Sequence, residues 1–454
     1  MPRVVVLGGG ESGRGVALLA QAEGYAVRVS DAGALSADAK TELAEAGIAY
    51  EEGGHTGLDD LDAATVVVKS PGIPWEAPFV ASAKTRGATV LGEMEFCARY
   101  APERHAALRR IGITGSNGKT TTTLLTDHLL RAAGLRSVAA GNVGLSYARV
   151  LLSPTRYEWV VLELSSFQLE DIEDFRVSLG AVLNLSPDHL DRYGGDFAAY
   201  AAAKYRLKPR AGLWLQAGDE VAKAHDPGPN GDLTQVELPA VFRPGFAEAP
   251  WGEVSLADTA LHGAHNAANA SFALFFAEAA VALSRGAEAA APARPVLAEA
   301  LTTFRNAPHR LEDVGYAGGV RFVNDSKATN LDAVVQAVGA FGNAPLVLVL
   351  GGQDKGNDYA LIDGSLARVP LRAVVAMGVD NAKILAHYRD RGIPVHDTHA
   401  LTDALAKSVM EARPGDVVLL SPACASFDLF RDYVDRGDQF RAAVRALPGW
   451  RETL

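Results

Sequence analysis

Seven residues, Thr-Gly-Ser-Asn-Gly-Lys-Thr at positions 114–120, constrain the fold more than any other part of the chain. A short apolar run, Ile111-Gly112-Ile113, precedes them, and a helical pattern follows from Thr121. The order strand, glycine turn, lysine, hydroxyl and helix is typical of a loop that binds phosphate. Backbone N–H groups and the helix N-terminus attract the anion, Lys119 can neutralise terminal phosphates, and Thr120 can bind Mg²⁺.

One position departs from the general phosphate-loop pattern. That pattern has a glycine six residues before the lysine, and Ile113 stands there in this chain. The alternative interpretation is a glycine that ends one element and leads into a new helix. The apolar run in front of the loop favours phosphate binding.

Composition narrows the classes of protein. A length of 454 residues predicts roughly two to four domains. The formal net charge of −11 argues against a surface for nucleic acid or anionic lipid. Two cysteines, Cys97 and Cys424, make no disulfide framework and fit a reducing cytoplasm. The most apolar stretch, residues 272–283, is interpreted as too short to span a bilayer. We therefore expect a cytoplasmic protein without membrane insertion.

Three blocks of alternating strand and helix patterns divide the chain. In the first, apolar strands are predicted at 4–7, 26–30 and 65–69, with helices at 16–23 and 37–46. In the second, strands are predicted at 159–164 and 177–185, followed by an irregular section at 208–263 and an alanine-rich helical stretch with a loop near Ala291-Pro292. In the third, strands are predicted at 320–323, 346–350, 373–377 and 417–420. Continuous apolar strands between helices predict an α/β fold of parallel sheets, with ligands at the carboxyl ends of the strands.

The first predicted strand leads into a glycine-rich turn. Residues 8–13 read Gly-Gly-Gly-Glu-Ser-Gly, Asp31 ends the next strand, and Ser70 ends another. Such a turn lets a diphosphate approach a helix N-terminus, so a dinucleotide and another diphosphate such as a UDP-sugar remain equally open. Packing glycines in a strand-to-helix turn are the structural alternative.

Polar residues also follow the strands of the second block. Glu163 ends a strand and is placed to bind Mg²⁺ beside the phosphate loop. His189 is flanked by Asp188 and Asp191 in another strand-end loop, which suggests a metal ligand or proton carrier, although a lone histidine is more often structural. Lys204 lies on a predicted helix at 197–207 and by default is a solvated lysine.

Amides and strand-end loops are the remaining candidates. Asn266 and Asn269 are spaced i, i+3 on one helix face and could face an adenine edge, or serve as a cap and a surface position. In the third block, loops at 324–330, 351–356 and 421–427 carry lysines and hydroxyls after three strands, which suggests a site for a small anionic substrate. Cys424 is interpreted as a packing residue because no base accompanies it.

Taken together, these clusters resemble one family along nearly the whole chain, the ATP-dependent Mur ligases. The loop at 114–120 is similar to that of all Mur ligases and folylpolyglutamate synthases, in which Ile113 is normal. Three further motifs resemble the D-glutamate-adding branch: Glu-Leu-Ser-Ser-Phe-Gln at 163–168, Asn-Asp-Ser-Lys-Ala-Thr-Asn at 324–330 and Leu-Ser-Pro-Ala-Cys-Ala-Ser at 420–426.

The resemblance implies three domains, each with a mostly parallel sheet flanked by helices. These are a Rossmann-like UDP-binding domain at 1–98, a central ATP-binding domain at 99–306 and a Rossmann-like amino-acid-binding domain at 307–454. It implies that the acceptor UDP-N-acetylmuramoyl-L-alanine takes the γ-phosphoryl group of ATP as an acyl phosphate. D-Glutamate then attacks, and a tetrahedral intermediate gives the amide, ADP and phosphate. It also implies small-molecule partners only and a monomer. The rivals are a ligase that adds another amino acid and a P-loop phosphotransferase or ATPase.

The resemblance also implies roles for individual residues. Those expected to be catalytic are Lys119, His189, Lys204 and Arg310. Those expected at ATP are Gly115, Ser116, Asn117, Gly118, Lys119, Thr120, Thr121, Asn266, Asn269, Arg310 and Asp325. Those expected at the UDP substrate are Ser12, Gly13, Asp31, Ser70, Asn142, Ser165 and His189. Those expected at D-glutamate are Lys327, Thr329, Lys355, Ser426 and Tyr433. Two Mg²⁺ sites would use Thr120, Glu163, His189 and Lys204, the last as a carbamate formed from CO₂.

Two positions depart from the family. A basic side chain often found after the second strand is absent, since Ala32-Gly33 stand there. Tyr433 stands where relatives often have phenylalanine, which adds a hydroxyl. The uracil contacts are therefore the least defined part of this expectation.

Overall fold

A computed structural model describes residues 3–56, 60–228, 233–354 and 356–452. The chain packs into two compact units. The first unit comprises residues up to 241 together with 248–254 and 269–301. The second comprises residues 242–247, 255–268 and 302 onward.

The first sheet of the first unit is a five-stranded parallel sheet in the order β3-β2-β1-β4-β5. Its strands are β1 (Arg3–Leu7), β2 (Ala26–Ser30), β3 (Ala49–Glu51), β4 (Thr65–Lys69) and β5 (Thr89–Leu91). Its helices are α1 (Glu11–Ala22), α2 (Ala37–Glu45), α3 (Pro78–Thr85), α4 (Glu93–Tyr100) and α5 (Pro102–Ala106). Alternate residues of β1 enter two different hydrophobic clusters, Val4 and Val6 on one face and Val5 and Leu7 on the other. A sheet covered on both faces explains the uninterrupted apolar strands.

Parallel register brings the first set of candidate loops together. Leu7 at the end of β1 is paired with Ser30 at the end of β2 and with Lys69 at the end of β4. The glycine-rich turn, Asp31 and Ser70 therefore begin side by side at one edge. The predicted start of α1 at residue 16 was wrong, because the helix already begins at Glu11 and runs through Gly13 and Gly15.

The second sheet of this unit has six parallel strands in the order β11-β10-β9-β6-β8-β7. Its strands are β6 (Arg109–Thr114), β7 (Ser137–Gly141), β8 (Trp159–Glu163), β9 (Val177–Val182), β10 (Ala211–Ala217) and β11 (Thr234–Leu238). Its helices are α6 (Lys119–Ala132), α7 (Tyr147–Leu152), α8 (Ser166–Leu169), α9 (Phe197–Tyr205) and α10 (Glu220–His225), with 3-10 turns at Leu190–Tyr193 and Lys208–Arg210.

The section expected to be irregular, 208–263, is more ordered than predicted. It supplies β10 and β11, and then the short paired strands β12 (Phe246–Ala249) and β13 (Gly252–Ser255). Glycine and polar residues interrupt the apolar pattern of β10, although Trp214 and Leu215 within it are buried.

Helix α11 (Gly263–Arg285) corrects the expectation about the apolar stretch at 272–283. With 23 residues, it is long and apolar enough to cross a membrane by length and composition alone, yet most of its apolar stretch is buried in protein, as in a core helix. The loop predicted near Ala291-Pro292 is also misplaced. The chain turns at Gly286, where φ is +94°, followed by a 3-10 turn at Ala287–Ala289. Pro292 lies in the first turn of α12 (Ala290–Thr303), where no intrahelical donor is needed.

The second unit contains a mixed six-stranded sheet in the order β14-β15-β19-β16-β17-β18. Its strands are β14 (Glu312–Ala317), β15 (Val320–Asn324), β16 (Leu346–Leu350), β17 (Leu371–Met377), β18 (Val395–Thr398) and β19 (Val417–Leu420). Its helices are α13 (Leu331–Gly339), α14 (Asp363–Leu366), α15 (Ala382–Tyr388), α16 (Leu401–Glu411) and α17 (Tyr433–Arg445), with a 3-10 turn at Tyr359–Ile362.

Only β14 runs antiparallel to its neighbour among the paired strands described in this sheet. Leu420 at the end of β19 is paired with Asn324 of β15 and with Val349 of β16. The three predicted anion-binding loops therefore leave adjacent strands at one edge. Three flanked, mostly parallel sheets confirm the predicted fold class. The domain boundaries at residues 98 and 306 remain predictions.

Candidate active site

The phosphate loop connects β6 to α6 through two glycines with positive φ. Gly115 has φ +148° and Gly118 has φ +82°. Gly118 is the residue before α6, and a Cβ atom there would lie 2.3 Å from Asn269 Oδ1. The loop therefore requires glycine at position 118 both for its backbone conformation and for its packing.

Lys119 folds back over this loop. Its ammonium group donates to the carbonyl oxygens of Gly115 and Ser116, both at 2.8 Å. The Ser116 hydroxyl donates to the Ser186 carbonyl at 2.9 Å and shares a hydrogen bond with the Tyr200 hydroxyl at 3.0 Å. A flexible lysine stem held over the loop places a positive charge where phosphate oxygens would lie.

Asn184 holds the middle of the loop, although sequence reasoning did not select it. Its Oδ1 accepts from the Asn117 amide at 2.9 Å, and its Nδ2 donates to the Asn117 carbonyl at 3.0 Å. Its position shortly after strand β9 was the one indication of Asn184 in the sequence. A short polar side chain at that point can reach the loop of the neighbouring strand.

A second contact joins the loop to Glu163 at the end of β8. The Thr120 hydroxyl donates to Glu163 Oε2 at 2.6 Å, and Asn142 Nδ2 donates to Oε1 at 3.0 Å. Glu163 is buried, and so is Thr121 in α6. The predicted residues Thr120, Asn142 and Glu163 are thus in one place, at the carboxyl ends of β7 and β8.

These donors fit a magnesium ion. In the part of the chain that the structure describes, no three His, Cys, Asp or Glu residues form a metal cluster. Mg²⁺ usually takes one or two protein carboxylates and completes its shell with waters and substrate phosphates. One carboxylate and one hydroxyl next to a phosphate loop match that preference.

Lys204 is not the solvated lysine that its helix suggested. It is 2% exposed on α9, and its Nζ donates to the Gly115 carbonyl at 2.9 Å. Its Nζ also lies 4.5 Å from the centre of the Tyr200 ring. Burial lowers its pKa well below the usual value, and the nearby charge of Lys119 lowers it further. The negative charges of Asp188 and Glu163 act in the opposite direction. Lowering the pKa favours the neutral, nucleophilic amine.

His189 has a strained backbone with φ +51°. Its ring makes an edge contact with Phe167, with centroids 5.2 Å apart, and its Nε2 lies 3.7 Å from Asp188 Oδ2. About half of the side chain is exposed. Ser165, expected at the substrate, caps α8: its hydroxyl accepts from the Gln168 amide at 3.3 Å.

The glycine-rich turn is tied to Asp31. The carboxylate accepts from Gly9 N at 2.6 Å and from Gly33 N at 2.8 Å, so it holds the turn against the end of β2. A Cβ atom on Gly13 would lie 1.9 Å from the Gly8 carbonyl oxygen, and one on Gly8 would lie 2.4 Å from Ser70 Oγ. The structure brings Gly13, Asp31 and Ser70 together, as the sequence predicted.

Ser12 has a partner that sequence reasoning missed. Its hydroxyl donates to the buried carboxylate of Glu93, which also accepts from Ala148 N at 3.0 Å. Burial raises the pKa of Glu93 to about 7. Glu93 thus links the start of α1 to the starts of α4 and α7, and no sequence signal marked it.

In the second unit, Asp325 lies at the end of β15. It is buried, and its carboxylate accepts from the Ser421 hydroxyl at 3.0 Å and from Leu311 N at 3.2 Å. Burial raises the pKa of Asp325 to about 7, although the positive charge of Arg310 acts in the opposite direction. Asn266 donates through its amide to the His262 carbonyl at 3.0 Å.

Of the residues expected at D-glutamate, Lys327 and Thr329 follow β15, Ser426 follows β19 and Tyr433 begins α17. Lys327 Nζ lies 3.9 Å from the centre of the Tyr433 ring, a cation–π contact. Ser426 is buried after β19, and Thr329 is half-buried after β15. Lys355 lies outside the described residues. Burial raises the pKa of the Cys424 thiol, which agrees with its interpretation as a packing residue.

Family models match three parts of the chain. Residues 3–78 match the MurD N-terminal domain, residues 113–213 the Mur ligase middle domain, and residues 309–424 the Mur ligase glutamate ligase domain. A UDP-N-acetylmuramoylalanine–D-glutamate ligase of Cytophaga hutchinsonii is 40% identical over 98% of this chain and 99% of its own. A protein of the same name from Porphyromonas gingivalis is 39% identical over 97% and 98% of the two chains.

Solved structures share the fold at lower identity. The UDP-N-acetylmuramate-alanine ligase MurC of Thermotoga maritima has a TM-score of 0.59 at 20% identity, covering 96% of this chain and 98% of its own. A Mycobacterium tuberculosis folylpolyglutamate synthase has a TM-score of 0.57 at 16% identity, covering 79% and 95%.

The phosphate loop, the adjacent carboxylate and the three sheets define a Mur ligase fold and site. The chain belongs to the Mur ligase family and, within it, to the family of the UDP-N-acetylmuramoylalanine–D-glutamate ligases.

Proposed function

We propose that this chain joins D-glutamate to UDP-N-acetylmuramoyl-L-alanine and consumes ATP in the reaction. The observation that carries the proposal is the contact of Thr120 with Glu163 beside Lys119 on a phosphate loop, in a chain about two-fifths identical over its length to ligases of that name. A phosphoryl group is needed because a carboxylate is a poor electrophile, and phosphate makes one of its oxygens a leaving group.

In the first step, the carboxylate of the alanyl group attacks the γ-phosphorus of ATP and releases ADP. Both reactants are anions, so charge neutralisation and positioning account for most of the catalysis. Lys119 would leave its carbonyl partners, Gly115 and Ser116, for the migrating phosphoryl group. Thr120 and Glu163 would hold Mg²⁺, which when bound neutralises charge on the phosphates. Asn142, already bonded to Glu163, would orient the carboxylate of Glu163 and contact the acceptor.

In the second step, the amine of D-glutamate attacks the acyl phosphate, and the resulting tetrahedral intermediate expels phosphate. Lys327, Thr329, Lys355 and Ser426 would hold the carboxylates of D-glutamate. The ring of Tyr433 supports this assignment for Lys327, because it holds the ammonium group in one place by a cation–π contact.

We also propose that Lys204 is carbamylated and that His189 contributes to a second Mg²⁺ site. The burial of Lys204 and its lowered pKa favour the neutral amine that reacts with CO₂. A carbamate would place a negative charge beside Lys119, so an attraction would replace the repulsion that disfavours the ammonium form of Lys204. Arg310, Asp325, Asn266 and Asn269 are proposed to contact ATP.

The acceptor's UDP group is proposed to lie at the glycine-rich turn, near Ser12, Gly13, Asp31 and Ser70. Ser165 and His189 would lie nearer to the muramoyl end. We propose a cytoplasmic monomer that acts on small molecules alone.

Release of inorganic phosphate tests the proposal. The purified protein is incubated with ATP, Mg²⁺ and UDP-N-acetylmuramoyl-L-alanine, and one amino acid is added at a time: D-Glu, L-Glu, L-Ala, L-Lys or meso-diaminopimelate. We expect D-Glu alone to stimulate release. Stimulation by another amino acid would favour a different ligase, and release without acceptor would favour a phosphotransferase or ATPase.

A further inference from the structure

Arg436 is a fully buried charge at the start of the last helix. It lies in the first turn of α17 and has 0% exposure. No ion pair within 4.0 Å among the described residues includes Arg436. The negative charges of Asp428 and Asp325 raise its pKa, but only from a longer distance. Burial lowers its pKa to about 10, so it keeps its charge at neutral pH.

The guanidinium group donates to backbone and hydroxyl oxygens instead. Its Nε donates to Ser326 Oγ at 2.9 Å and its Nη2 to the Ser326 carbonyl at 2.7 Å. Both terminal nitrogens donate to the Cys424 carbonyl at 3.2 Å. One rigid fork therefore joins the loop after β15 to the loop after β19.

The loop after β16 packs against the same group. A Cβ atom on Gly352 would lie 3.2 Å from Arg436 Nη1 and 2.3 Å from the Ala425 carbonyl oxygen. The Gln353 amide donates to that carbonyl at 2.8 Å. All three loops that carry the predicted amino-acid-binding residues thus meet at Arg436.

Burying a charge without a counter-ion is costly, and an apolar side chain would fill this volume at lower cost. An apolar side chain could not donate hydrogen bonds to the two carbonyl groups that Arg436 joins. The Ser326 carbonyl belongs to the peptide before Lys327, and the Cys424 carbonyl lies two residues before Ser426. Fixing them fixes the separation of Lys327 from Ser426.

We infer that Arg436 is a positioning residue for the amino-acid substrate, which sets the distance between the cationic loop of Lys327 and the hydroxyl loop of Ser426. The inference rests on the proposed function, because it takes these two loops as the site for the dicarboxylate D-glutamate. A dicarboxylate needs donors at a fixed spacing, so loosening that spacing weakens its binding without changing the chemistry at ATP.

Steady-state kinetics of Arg436→Lys and Arg436→Met test the inference. Lysine keeps the charge but cannot reach both carbonyls with a planar fork, so it should not restore the wild-type value. We expect the KM for D-glutamate to rise about tenfold or more in both variants. The KM values for ATP and for UDP-N-acetylmuramoyl-L-alanine should stay within about twofold of wild type.

Arg445→Met is the matched control, because Arg445 lies on the exposed side of the same helix. It should leave all three KM values unchanged. Ser326→Ala removes one acceptor of Arg436 and should raise the KM for D-glutamate in the same direction by a few-fold. If neither Arg436 variant folds, the KM of Ser326→Ala for D-glutamate tests the inference.

Unchanged D-glutamate KM in the folded variants would overturn the inference. So would a parallel rise in all three KM values, which a general loss of structure produces. A wild-type protein that D-glutamate does not stimulate would instead overturn the proposed function, so the two failures are distinguishable.

Discussion

Substituting Gly118 by alanine tests the geometry of the phosphate loop most directly. Gly118 has φ +82°, and its added Cβ atom would lie 2.3 Å from Asn269 Oδ1. The conformation costs an L-residue about 1 kcal/mol. Asn269 must also move by roughly an ångström to reach an ordinary contact distance, and its Oδ1 accepts from the Thr122 hydroxyl at 3.2 Å. Losing that buried hydrogen bond costs about 1 kcal/mol more.

The sum, about 2 kcal/mol, would fall on the state in which the loop is formed. Since ATP binds only that state, the expected result is a rise of up to about 30-fold in the KM for ATP and the Kd for ADP. Isothermal calorimetry with ADP and steady-state kinetics measure the two quantities. Circular dichroism checks that the rest of the chain remains folded.

Gly134→Ala is the matched control at the other end of α6. Gly134 also has a positive φ, +76°, but its added Cβ atom would meet only the flexible end of Arg285 at 3.2 Å. It should lose about 1 kcal/mol of stability and leave ADP binding unchanged. If Gly118→Ala binds ADP like wild type, the described loop packing is wrong.

Three further predictions concern buried ionisable groups. Lys204→Ala should lose activity, and a short-chain carboxylic acid should restore it whereas bicarbonate should not. The carboxylic acid should not rescue the control variant Lys208→Met. Full activity of Lys204→Ala would refute the carbamate. Glu163→Gln should lower kcat by about 100-fold and raise the Mg²⁺ concentration needed for half-maximal rate, whereas Asn142→Ala should mainly raise the KM of the acceptor; an unchanged Mg²⁺ requirement would argue against the site. Burial raises the pKa of Glu93 to about 7 in the folded state. Between the pKa of the unfolded chain and pH 7, the folded protein therefore binds more protons than the unfolded chain, and the stability of the fold decreases as the pH rises through that range. Glu93→Gln should therefore unfold at a higher temperature than wild type at pH 8 and at a similar temperature at pH 5, and an equal difference at both pH values would contradict this.

Strand positions were largely predictable because both faces of each sheet are covered. Buried parallel strands such as β4 and β16 are continuous apolar runs, and runs of that kind stand out from any neighbouring pattern. β10 and β11 were missed because glycine or polar residues interrupt their apolar patterns, and they are strands through their pairing, β10 with β9 and β11 with β10. The start of α1 was missed because its first turn contains glycines, which disfavour a helix locally but allow close packing.

Candidate site residues could be found when they follow a strand directly. Register then places them at a common edge, as it does for Glu163 beside the phosphate loop. Glu93 and Arg436 were not found, because each is defined by what it touches across the fold. Asn184 was missed because the predicted strand ran to residue 185, whereas β9 ends at Val182. Lys204 was found only through a family resemblance, since its surroundings and not its type lower its pKa.

The sequence by itself determined the class of fold and the phosphate loop at 114–120. Both depend on local order: a strand pattern, a turn that needs glycine, and a lysine and hydroxyl at the start of a helix. Only the tertiary structure decided which polar groups surround that loop and what their charge state is. Burial and neighbouring charges depend on the folded structure and not on local sequence. Lys204 is therefore a buried amine although it lies on a helix, and Arg436 connects two loops whose residues are about a hundred positions apart.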